Sequence, residues 1–74
     1  MMSLRQHRRR HMWTIRELAA QAGVNQQTIV NIELGHRDPR FGTMQKIAAA
    51  LGVEALEIAE FARAINAEPR KGDN

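Results

Sequence analysis

Residues 15–34 read IRELAAQAGVNQQTIVNIEL, bracketed by Thr14 and Gly35. Apolar or small residues fall at Leu18, Ala19, Val24, Ile29 and Ile32, the spacing of two short helices around a tight turn. Thr14, followed three residues later by Glu17, makes a capping box that starts the first of them. Gly23 can take the left-handed conformation that stops it. Asn25 then offers an N-cap to a second helix over residues 26–34, and Gly35 closes that helix. So short a connection forces the helices to cross as a corner, with Ala19 where the second must come closest.

Along the second helix successive residues turn by about 100°. Ile29 and Ile32 therefore point inward, while Gln26, Gln27, Val30 and Asn31 point outward. The outward row is built from neutral amides instead of lysines and glutamates. Each amide carries a donor and an acceptor, and the two together can bond an adenine at N6 and N7. Val30 can meet a thymine methyl. A solvated helix can carry the same amides for no purpose beyond solubility, and it is the corner in front of them that gives the row a base-reading interpretation.

The run GVNQQTIVNIELG, residues 23–35, resembles the turn and recognition helix of the Cro and phage-repressor (XRE) family of helix-turn-helix proteins. The run DPRFGTMQKIAAALGV, residues 38–53, resembles that family's loop and fourth helix, so the likeness extends over roughly residues 4 to 58. It implies an all-α, compact five-helix repressor-like domain with the helix-turn-helix at helices 2 and 3, binding double-stranded DNA. In that frame Gln26, Gln27, Asn31 and Val30 face bases. Arg16, Asn25, Thr28, Arg37, Arg40 and Phe41, with backbone amides at the starts of helices 2 and 4, face phosphates. The resemblance also implies a partly buried ion pair between Arg8 and Glu33, tying helix 1 to the recognition helix. Two positions depart from the family pattern. Ile15 stands where a phosphate-contacting glutamine is common, with Arg16 beside it as a compensating cation, and Leu34 stands where a polar residue is usual near the backbone.

Seventy-four residues bound the chain to one small domain. Cysteine is absent, so neither disulfides nor a cysteine zinc site can add stability, and the core must be apolar helix packing. Trp13, Phe41 and Phe61 are the only aromatics, and β-branched residues are scattered singly, which argues against strands. Residues 1–46 hold eight Lys or Arg against three Asp or Glu, a balance of +5, whereas residues 47–74 hold three against five, a balance of −2. A basic front and an acidic rear suit a protein that turns one side to a polyanion. With no apolar run of membrane length and no signal-peptide pattern, the expected location is the cytoplasm.

Outside the corner, Ser3 and Gln6 form a capping box for a first helix running to about Met12. Pro39 interrupts a polar loop over residues 36–40. A fourth helix is expected from about Phe41 to Leu51, with Met44, Ile47, Ala48 and Leu51 as core and Gly52 at its end. The last helix, from about Glu54 to Asn66, carries more apolar residues than a peripheral helix needs. Leu56, Ile58, Phe61 and Ile65 are therefore expected to make a homodimer interface. The domain is read as residues 1–66 and residues 67–74 as a flexible tail.

Enzymatic chemistry finds little material, because Ser3 is the only serine and Tyr and Cys are absent. His7 and His11 have a zinc-compatible spacing, but arginines surround them and no third ligand is evident, so no metal or other cofactor is expected. No small-molecule ligand is expected either. The leading reading is a homodimeric transcriptional regulator, a repressor at a palindromic operator. The alternative is an antitoxin-like or accessory subunit that binds a partner protein and autoregulates through DNA. An RNA-binding module lacks the exposed aromatics that stack on unpaired bases.

Overall fold

The structure, a computed structural model, describes residues 1–66. The tail read over residues 67–74 lies outside them. Five α-helices follow in order: α1 Leu4–Arg10, α2 Ile15–Ala22, α3 Gln26–Glu33, α4 Phe41–Leu51 and α5 Ala59–Asn66, with a 3₁₀ turn at Ala55–Glu57 before the last. Among the described residues there is no strand. No helix there is long and apolar enough to cross a membrane.

Each early helix starts where the sequence supplies a cap. Ser3 Oγ accepts the Gln6 N–H at 3.1 Å and Gln6 Oε1 accepts the Ser3 N–H at 2.8 Å. Thr14 and Glu17 make the same reciprocal pair at 3.1 and 2.7 Å. Helix ends share one geometry. The N–H groups of Val24, His36 and Val53 reach back to the carbonyls of Ala19, Asn31 and Ala48 at 3.0, 2.9 and 3.1 Å, each just after a glycine with positive φ. Helix α1 ends earlier than the sequence reading placed it, at Arg10. It closes with the same bond, Trp13 N–H to Arg8 carbonyl at 3.3 Å, but the left-handed position is filled by Met12, at φ 59°.

Leu4, Leu18, Ile29, Ile47, Ile58 and Phe61 have no exposed surface and form the centre of the core, with Ile32, Met44 and Leu51 around them. This corrects the expected dimer face. Ile58 and Phe61, both 0% exposed, are interior residues of the single chain. The reason is a break in the helix expected from Glu54 to Asn66: Ile58 is extended, at φ −100° and ψ 122°. The Ala59 N–H then bonds the Met2 carbonyl at 2.9 Å, and Glu60 Oε1 accepts the Leu4 N–H at 2.7 Å. The start of α5 is thereby tied to the start of α1, and α5 lays Phe61 and Ala62 into the core instead of outward.

His7 of α1 and His11, its C-cap, also have structural work. His7 Nε2 donates to the Glu57 carbonyl at 3.1 Å and His11 Nε2 to the Leu51 carbonyl at 3.0 Å, since a carbonyl only accepts. The His11 ring stacks on Trp13 with centroids 4.5 Å apart. Among the described residues no group of three or more His, Cys, Asp or Glu is arranged to hold a metal.

Candidate nucleic-acid interface

Helices α2 and α3 meet at a corner set by backbone chemistry. Gly23, at φ 70° and ψ 36°, turns the chain out of α2, and Asn25 Oδ1 accepts the Gln27 N–H at 2.9 Å to start α3. Ala19 is buried at the crossing, where its methyl lets the helices approach. From α3, Ile29 and Ile32 enter the core. The opposite side is left to solvent. Gln26 and Gln27 are exposed, and Val30 and Asn31 are half-buried.

The amides on that side are not independent. Gln27 Nε2 donates to Asn31 Oδ1 at 3.1 Å, one helical turn apart. The bond uses one hydrogen of Gln27 and one lone pair of Asn31. Gln27 keeps its carbonyl oxygen and a second hydrogen, the set needed to grip an adenine edge, and Asn31 keeps both amide hydrogens.

Cations flank the row. Arg16 shares an open groove with Ala20, Gln26 and Gln27, and Arg37 shares a smaller one with Thr28, Asn31, Asp38 and Pro39. Beneath the row, Arg8 holds Glu33 with two parallel bonds, Nε to Oε2 at 2.7 Å and the second terminal nitrogen to Oε1 at 3.0 Å. The remaining terminal nitrogen donates to the Trp13 carbonyl at 2.9 Å. The side chains are only 12% and 7% exposed. The hydrogen bond to Glu33 is the main cause that raises the Arg8 pKa above its ordinary value. Burial opposes that shift, and the carboxylate charge adds to it.

Compared with known proteins, residues 4–58 match the helix-turn-helix family model. The chain belongs to that family, in its XRE form. This helix-turn-helix chain is also 41% identical, over 54 residues, to an uncharacterized HTH-type transcriptional regulator of Methanothermobacter thermautotrophicus, an overlap covering 73% of this chain and 78% of that protein. No solved structure matches it.

Within the helix-turn-helix, the starts of α2 and α4 differ in what they offer an anion. The first turn of α2 is closed by the Thr14 hydroxyl and carries the Glu17 carboxylate, which disfavours a phosphate there. At α4, Arg40 precedes the helix with no side-chain cap bond, so the first-turn N–H groups remain open to an anion. The Phe41 ring lies apart from α3, in a groove with Met44, Gln45, Ala55 and Ile65, which leaves its backbone amide as the group suited to phosphate. Ile15 packs against the core. Leu34, at the end of α3, is 63% exposed. The Gln27 to Asn31 bond is not among the sequence expectations, although the four-residue spacing of two amides on one helix is a legible signal for it.

Proposed function

We propose that this helix-turn-helix protein is a sequence-specific, double-stranded-DNA-binding transcriptional regulator, a homodimeric repressor that inserts α3 into the major groove at a palindromic operator. The observation that carries the reading is the bonded amide pair Gln27 and Asn31, on the side of α3 opposite its buried isoleucines. Gln27 reads adenine, with Gln26 and Val30 beside it. Arg16, Arg37, Arg40, the Asn25 and Thr28 side chains and the open N–H groups of α4 hold the flanking phosphates, which fixes the register in which bases are read.

Dimerisation is assigned to the exposed apolar surface. Phe41 is 68% and Leu56 53% exposed, and Phe41 shares its groove of about 210 Å³ with Ala55 and the half-buried Ile65. A second copy is the proposed occupant, because a palindromic operator calls for two α3 helices on successive turns of one face of DNA, about 34 Å apart, and this is the exposed apolar surface available to join them. Selection of bound duplexes from a random pool tests the reading. A two-fold consensus supports it, and failure to enrich any sequence over random duplex contradicts it.

A further inference from the structure

We propose that Val30 and Leu34 form an apolar stripe that reads the C5 methyl groups of two thymines, alongside the amide pair. This rests on the reading of α3 as the helix in the major groove. Leu34 remains in helical register: φ is −87° and ψ −6°, and its N–H bonds the Val30 carbonyl at 3.0 Å. Only at Gly35, with φ 75°, does the chain turn away. At about 100° per residue, Gln27, Val30, Asn31 and Leu34 share the solvent side of α3. They fall into two parallel rows of four-residue spacing, one of amides and one of aliphatics.

Leu34 has no place among the residues packed on the core, and its exposure leaves a branched apolar group in water beside two base-reading amides. The major-groove edge of an A·T pair supplies partners for both rows: N6 and N7 of adenine for an amide, and the thymine methyl for an aliphatic carbon. Four residues of helix rise about 6 Å, close to two steps of about 3.4 Å along a strand, so Val30 and Leu34 address bases about two steps apart. The pattern therefore favours A·T-rich half-sites with thymines at that separation.

Deoxyuridine substitution isolates the methyl, because uracil keeps every hydrogen-bonding group of thymine. In the selected consensus duplex, each thymine is replaced in turn and binding is measured for the wild type, Leu34→Ala and Val30→Ala. The wild type should lose about four-fold in affinity at each of two positions in a half-site, the effect of one methyl withdrawn from an apolar contact. Leu34→Ala should abolish the loss at one position of each half-site and leave the other. The exposed Leu34 side chain makes Leu34→Ala a folded control, checked by thermal unfolding. If the wild type binds its consensus specifically but tolerates uracil everywhere, or loses the same factor as Leu34→Ala at every position, the stripe does not read methyls while the DNA-binding reading stands. A consensus without thymine has the same meaning. Failure to select any consensus overturns both.

Discussion

Arg8 and Glu33, twenty-five positions apart in the chain, are joined by two parallel hydrogen bonds of 2.7 and 3.0 Å. One residue lies on α1 and the other at the end of α3, so the helix that presents the amide row is fastened to the body of the domain by a nearly buried ion pair. Removing either partner strands the other charge. Arg8→Ala and Glu33→Ala should each cost about 3 to 5 kcal/mol, and the double mutant clearly less than their sum. Denaturant unfolding of the four proteins measures the coupling. Additive losses would mean the pair contributes nothing.

The pH dependence on the arginine side follows from the same pair. The Arg8 pKa is raised in the folded state, chiefly by its hydrogen bond to Glu33. A raised cation contributes its full stability below its unfolded pKa and loses it only as pH rises through the folded value. That window lies in strong alkali, so the coupling should stay constant from about pH 7 to about pH 10. A decline within that range would show that the coupling does not come from the Arg8 guanidinium, which stays charged throughout it.

Met12 occupies a left-handed position at φ 59° that glycine fills at the ends of the next three helices. Its side chain is exposed and gains nothing from packing. Met12→Gly should therefore stabilise the domain by about 1 kcal/mol, which raises the melting temperature by about 4 to 8 °C for a chain of this size. Calorimetry checks it, and an unchanged or lower melting temperature contradicts the assigned backbone conformation.

Phe61 and Leu56 should behave in opposite ways. Phe61 is wholly interior, so Phe61→Ala should cost about 3 to 5 kcal/mol through cavity formation, a large part of a small domain's stability. Leu56→Glu should leave unfolding within about 0.5 kcal/mol of wild type and shift sedimentation from dimer to monomer. A Leu56→Glu protein that remains dimeric would move the interface elsewhere.

Local signals made much of this molecule legible. The Ser3 and Thr14 boxes, the Asn25 cap and the glycine ends are written within a few residues of the bonds they make, and the core isoleucines of α3 follow from helical spacing alone. The last segment was not legible, because the bond that breaks it joins Ala59 to Met2 and the carboxylate that orients it, Glu60, caps α1. Such pairings depend on where distant backbone meets. The same limit hid the fate of Phe61: an apolar face looks identical in sequence whether it covers its own core or a partner's.

Phosphate binding and base reading should separate experimentally. Arg40→Ala should weaken binding to all duplexes alike and reduce the slope of log affinity against log salt by about 0.9 for each phosphate that Arg40 neutralises in the wild type. A slope equal to wild type would remove Arg40 from the backbone set.

Gln27 decides whether the amide row of α3 reads bases. Affinity of the wild type and Gln27→Ala is measured for the selected consensus and for random duplex at one salt concentration. Base reading by Gln27 predicts a loss of about 1 to 3 kcal/mol on the consensus, with binding to random duplex nearly intact. Equal losses on both duplexes, or no loss on the consensus, would contradict it.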